Sequence, residues 1–173
     1  MTDTWPDRIE IRPLTADDAA LITRWRYDGP WRVYDSGEEA LTAEDGYLAV
    51  TGADGGPLLG FCCTGVEARV PGLTGEPGLL DVGVGMDPAL VGRGHGRAFG
   101  EAVLGHLHRL ADGRRLRAVV QSWNVRSLRL AAALGFVATG VHTCEQGGRD
   151  VEYTVLVTTA REPGPDTPPG TGR

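Results

Sequence analysis

Apolar residues recur along the chain at two spacings, and the switches between them predict an order of elements. Ile9 and Ile11 alternate with charged neighbours and make a short extended start that closes at Arg12-Pro13. Ala19, Leu21, Ile22 and Trp25 then recur at helical spacing. Thr15 precedes them as an N-cap, with Asp17 and Asp18 in a first turn where the helix dipole favours anions. Gly29-Pro30 ends that pattern. Residues 31–45 mix apolar and charged positions, and a second short helix around residues 38–41 is the expectation there. Residues 47–51 and 58–66 read as two strands joined by the turn Ala53-Asp54-Gly55-Gly56-Pro57. After a Gly/Pro-rich loop at 70–78, residues 79–86 form an apolar central strand interrupted by Gly83 and Gly85. Glycine inside a strand marks a bulge or the close approach of another backbone or a ligand.

Asp87-Pro88 closes that strand, and a glycine cluster opens a helix over 96–110. Its apolar residues Phe99, Val103, Leu107 and Leu110 share one face. A strand at 116–121, a helix at 125–134 stopped by Gly135, and a strand pair at 136–143 and 151–159 complete the order. That order describes an α/β domain with one sheet and helices packed on it, without internal repeats. A single domain over residues 1–160 is expected, followed by a disordered tail at 161–173 that holds four prolines and three glycines.

Composition narrows the function. Of 173 residues, 41% are hydrophobic, enough for a real core. All 17 basic residues are arginine, and the net charge of -6 argues against nucleic acid or an anionic membrane as partner. No apolar run approaches the roughly 20 residues that span a bilayer, and residues 1–13 hold no apolar signal core, so the expected location is cytoplasmic. Cys62, Cys63 and Cys144 then read as buried thiols of a reducing compartment.

The sharpest local feature is Val91-Gly92-Arg93-Gly94-His95-Gly96-Arg97, between a strand and a helix. Alternate glycines let backbone approach a ligand closely, and the first amides of the helix carry partial positive charge. Together they suit a phosphate or pyrophosphate, with Arg93 and Arg97 adding charge at the rim. Two standard phosphate motifs fail. A P-loop requires lysine, which the chain lacks, and the dinucleotide fingerprint puts its third glycine on Phe99 or Arg97.

Here the chain resembles the GCN5-related N-acetyltransferase family, whose signature is Gln/Arg-x-x-Gly-x-Gly/Ala, usually preceded by Val-x-Pro. The segment Met86-Asp87-Pro88-Ala89-Leu90-Val91-Gly92-Arg93-Gly94-His95-Gly96 matches, except that Val91 stands at the Gln/Arg position. A later family motif, Asn-x-x-Ala-x-x-Leu-Tyr-x-x-x-Gly-Phe, is matched by Asn124, Leu130, Gly135 and Phe136, with Ser127 and Ala131 departing from it. The resemblance runs from about Ile9 to Val157 and implies the acyl-CoA N-acyltransferase fold, a mixed, mostly antiparallel sheet of about six to seven strands.

The resemblance also implies roles. The pyrophosphate of acetyl-coenzyme A would lie on amides of the glycine loop, its pantetheine arm along Val84, Gly85 and Met86, with Asn124, Ser127 and Ala131 beside it. Gly83 and Gly85 would allow that close approach. The family's tyrosine acid is Ala131 here, leaving Tyr153, Ser127 or water as other donors. A carboxylate base is the further need: Asp81 is the candidate, against a plain strand-entry acid, with Glu67, Glu145 and His142 behind it. Trp25, Tyr27, Trp31 and Tyr34, interleaved with Arg24, Arg26 and Arg32, either wall an acceptor pocket or simply pack their helix. The implied reaction is transfer of acetyl to a primary amine, on a small molecule or a protein N-terminus or lysine, without a metal, by a monomer or homodimer. A coenzyme A-binding module that has lost catalysis is the alternative, motivated by Ala131 and Val91.

Overall fold

The structure, a computed structural model, describes residues 5–37 and 39–159. The expected tail at 161–173 lies outside the described residues. The chain runs through β1 (Ile9–Pro13), α1 (Ala16–Ile22), β2 (Tyr47–Gly52), β3 (Leu58–Thr64), β4 (Leu79–Met86), α2 (Gly96–Ala111), β5 (Arg115–Gln121), α3 (Val125–Ala133), β6 (Phe136–Gln146) and β7 (Arg149–Thr158). Short 3-10 turns occupy Gly29–Tyr34 and Gly65–Ala68. The seven strands form one sheet in the order β1-β2-β3-β4-β5-β7-β6. Only β4 and β5 pair in parallel; the other neighbours are antiparallel. The mixed, mostly antiparallel sheet expected from the sequence is therefore present.

Thr15 caps α1 through a capping box, its hydroxyl accepting from the Asp18 amide while the Asp18 carboxylate accepts from the Thr15 amide. Arg12 binds the same carboxylate at 2.6 and 3.1 Å, and these donors hold the Asp18 carboxyl down at about 2. One face of the sheet packs Val50, Leu59, Cys62, Val82, Leu116 and Leu156 against Phe99, Val103 and Leu107 of α2. The opposite face carries a smaller cluster in which Ala19 and Ile22 of α1 meet Ala49 and Phe61. Cys62 and Cys63 are buried free thiols, whereas Cys144 is half-buried. Among the described residues, no helix is long and apolar enough to cross a membrane.

Three local readings change. No helix forms at residues 39–41, and Glu38 is not among the described residues. The helical turn falls earlier, starting at the Gly29-Pro30 pair read as a stop, because proline has no amide to lose in a first turn. The second hairpin strand ends at Thr64, and the chain continues as a 3-10 turn. The last hairpin is longer than expected: pairing continues to Gln146 and Arg149, closed by Gly147 and Gly148 at φ of 58° and 76°. Two successive positive φ angles make the tight turn that suits strand twist.

Sheet packing leaves no room at Gly60. A Cβ there would fall on the Gly85 carbonyl oxygen and lie 2.6 Å from the Phe99 ring. Gly60→Ala is expected to destabilise the fold by about 2–3 kcal/mol, measured by urea unfolding.

Candidate active site

The sheet opens between its two parallel strands. β4 and β5 pair only at 79–81 with 115–117, after which β4 continues beside β3 and β5 beside β7. The result is a wedge with its vertex at Asp81 and Arg117. Peptide groups alternate sides along a strand. The Asp87 amide donates to Leu59 of β3 and the Gly78 carbonyl accepts from Arg115 of β5, which sets the phase. The peptide groups of Val82, Val84 and Met86 accordingly face the wedge. The Val84 side chain is 58% exposed although its strand is central. A central strand with an open edge and an uncovered face is where a ligand can lie, and the expected pantetheine contacts Val84 and Met86 border that space. Gly83 and Gly85 also answer a packing need. A Cβ on Gly85 would strike the Phe61 ring, and one on Gly83 would come within 3.0 Å of the Cys63 Sγ. Their bareness makes room for β3 side chains.

The glycine loop follows β4 directly. Gly92 and Gly94 adopt φ of 78° and 85°, and a Cβ on either would meet nothing within 4 Å. Among the described residues, no side-chain hydrogen bond caps α2 at His95. A cradle of bare backbone thus leads into a helix start, the geometry that receives phosphate oxygens. The His95 ring stacks on Trp5 at 4.3 Å, so the N-terminal segment braces the loop. Arg97, expected at the rim, pairs with Glu101 one turn along α2 at 2.9 Å.

Asn124 is 2% exposed and its amide holds two elements together. Its Oδ1 accepts from the Ser127 amide, capping α3, and from the Trp31 indole at 3.3 Å. Its Nδ2 donates to the Tyr34 hydroxyl at 3.0 Å. The Tyr27 hydroxyl donates to the wedge-facing Met86 carbonyl at 2.7 Å, and burial holds the phenol well above its usual pKa. Residues 27–34 therefore strap across the wedge from β4 to the start of α3. Ser127 contributes its backbone amide to that cap, and Ala131 packs half-buried against the main core. Of the four aromatics singled out in the sequence, Trp25 packs on Phe61, whereas Tyr27, Trp31 and Tyr34 border the opening.

A cleft of 890 Å³ lies beside this strap, lined by Tyr34, Gln121 and Trp123 and by the β6–β7 hairpin, including Tyr153, Asp150 and Glu152. The Tyr153 hydroxyl donates to Gln146 Oε1 and accepts from Gln121 Nε2 at 3.4 Å. Burial raises its pKa, so the phenol stays neutral. Trp123 stacks near Tyr34 and meets Trp31 edge-on, with centroids 6.2 and 5.8 Å apart. Sequence reasoning missed Trp123; its place beside the motif residue Asn124 was the available signal.

Asp81 stands at the wedge vertex, 3% exposed, with both oxygens taken. Oδ1 accepts from Arg117 Nε at 2.6 Å, and Oδ2 accepts from Arg69 Nε at 2.7 Å and Arg117 Nη2 at 3.1 Å. Arg117 also binds Glu76 and the Thr74 carbonyl. A carboxylate held by two guanidiniums is poorly placed to take a proton from an amine, and the geometry favours the strand-entry ion pair over the base. The other acids and bases are elsewhere: Glu67 accepts from the Tyr47 hydroxyl, His142 bonds the Pro71 carbonyl, and Glu145 is exposed on β6. Among the described residues, no group of three potential metal-ligating side chains is assembled.

The sequence profile of the acetyltransferase (GNAT) domain matches residues 8–137. The chain belongs to that family. Similar solved structures include a GNAT-family acetyltransferase from Bacillus anthracis, 16% identical with a TM-score of 0.68, over 91% of this chain and 98% of that one. The yncA protein of Salmonella typhimurium, solved with its cofactor acetyl-CoA, is 20% identical with a TM-score of 0.60, over 90% of this chain and 96% of that one. The ribosomal-protein-S18-alanine N-acetyltransferase of Escherichia coli is 18% identical with a TM-score of 0.57, over 92% of this chain and 98% of that one. No curated protein matches the chain in sequence.

Breaking the vertex tests its role. Asp81→Asn removes one partner of a buried ion pair and is expected to cost about 3–5 kcal/mol of stability, read by urea unfolding. Asn124→Ala removes a helix cap and two clamps; a loss of about 1–2 kcal/mol is expected, together with a weaker near-ultraviolet circular dichroism signal from the indoles.

Proposed function

We propose that this chain is an N-acetyltransferase that moves an acetyl group from acetyl-coenzyme A to a primary amine held in the cleft beside Tyr34 and Trp123. The observation that carries the reading is the open β4 edge running straight into the bare glycine cradle. Together they offer hydrogen-bonding backbone for an amide-rich arm and partial positive charge for a pyrophosphate. The fit rests on this chain's own groups: Val84 and Met86 peptides facing the wedge, Gly92 and Gly94 in conformations open to close approach, and α2 without a side-chain cap.

When bound, acetyl-coenzyme A supplies an activated thioester. The Val84 amide is the strand's donor for a carbonyl oxygen that gains negative charge, and a preorganised donor there stabilises that charge. Holding both reactants in one wedge supplies proximity. Proton removal from the ammonium falls to water in the open cleft, since Asp81 is committed to Arg117 and Arg69. Ala131 offers no acid, and none is required, because a thiol of reference pKa about 8.5 is a competent leaving group as its anion.

Calorimetric titration with acetyl-coenzyme A, and thiol release with a panel of amines, test the reading. Gly94→Val forces a branched side chain into φ of 85° and is expected to weaken acetyl-coenzyme A binding about a hundredfold while the fold is retained. Unchanged binding in that variant would remove the phosphate cradle from the account. Tight binding without thiol release on any amine would replace the enzyme by a binding module.

A further inference from the structure

Beyond the acceptor cleft, on the other side of Trp123, lies a second cleft of 620 Å³ lined by Pro30, Trp31, Trp123, Val125, Arg126 and Arg129. Among the described residues, two arginines and no acid line it, on a chain whose net charge is -6. Arg8, Arg12, Arg69, Arg97 and Arg117 each pair with a carboxylate. Among the described residues, Arg126 and Arg129 have no ion-pair partner. Arg126 is nevertheless oriented, its guanidinium lying 4.4 Å from the centre of the Trp31 ring. Three residues apart on α3, the two side chains share one edge of the helix. The neighbouring acceptor cleft has the opposite balance, with Asp150 and Glu152 against Arg149. Trp123 lines both clefts.

We propose that Arg126 and Arg129 form a subsite for an anionic group of the acceptor. The substrate is then an amine that also bears a carboxylate or phosphate-type group, the two separated by at least the width of an indole. The ammonium end is drawn to the side of Asp150 and Glu152, the chain between crosses Trp123, and the anion meets two guanidiniums. Guanidinium pairs bind planar oxyanions through parallel hydrogen bonds, and a stacked guanidinium loses little freedom in doing so. This inference rests on the acetyltransferase reading for the identity of the amine-binding cleft, but the anion subsite can be tested without turnover.

The probes are a series of ω-amino acids (4-aminobutyrate, 6-aminohexanoate and 8-aminooctanoate), each with its carboxamide and the corresponding diamine. Binding is read by quenching of indole fluorescence and by calorimetry, with and without acetyl-coenzyme A. Expected is tighter binding of a longer ω-amino acid than of its amide by about tenfold, with 4-aminobutyrate too short to gain. In the double variant Arg126→Gln/Arg129→Gln, acid and amide should bind alike, and an unchanged thermal midpoint would show that the fold is retained. Equal binding of acid and amide by the unaltered protein, preference for the diamine, or no binding of any acid overturns the proposal. So does a comparable loss of acetyl-coenzyme A affinity in the double variant, which would assign the arginines to the coenzyme's phosphates. Thiol release with hexylamine reports separately on the acetyltransferase reading, since that amine has no anionic group to bind.

Discussion

The ion pair between Asp81 and Arg117 sits where two parallel strands stop pairing, and the rest of the site takes its shape from that point. Both residues are 3% exposed, and each is satisfied by further partners. Glu76, Asp81, Arg69 and Arg117 form a cluster of balanced charge, which is the condition for keeping ions in so dry a place. Through Thr74 and Glu76 the same guanidinium also ties down the loop that precedes β4. Beyond this vertex the strands take different partners, and the peptide groups between them face no neighbouring strand.

The strap at residues 27–34 acts at the other end of the wedge. Its three hydrogen bonds join β4 at Met86 to the start of α3 at Asn124. Two of them use the side chain that caps α3, so the helix start and the aromatic wall are positioned by one amide group. That coupling explains why an uncharged asparagine is buried so deeply. Buried amides are kept only when their donors and acceptors are met, and here meeting them builds the border of the cleft beside Tyr34 and Trp123.

Trp123 divides the surface beyond the strap into two clefts of unlike charge. Its indole donates to Gln121 Oε1 at 2.6 Å, while its ring packs near both Trp31 and Tyr34. Asp150 and Glu152 with Arg149 border one side, and Arg126 and Arg129 the other. The same elements bear the wedge and the clefts, so the two clefts and the opening of the sheet share one framework.

Element order was legible in the sequence because helix and strand periodicities are local. The span of β4, the start of α2 and the Thr15 cap follow from neighbouring residues alone. The glycine cradle was legible for the same reason: positive φ and a bare helix start are short-range properties. The family motifs likewise pointed to the segments bordering the wedge. Other features required partners distant in the chain. Asp81 looked available until Arg69 and Arg117 arrived, 12 and 36 residues away. The packing role of Gly85 appeared only when Phe61 filled the space beside it. Asn124 acquired its double duty only when Trp31 and Tyr34 folded back from about 90 positions earlier. The sequence by itself determined the local conformations and the chemistry on offer. Tertiary structure decided which charges were cancelled and which backbone stayed open, since both depend on contacts that local pattern does not encode.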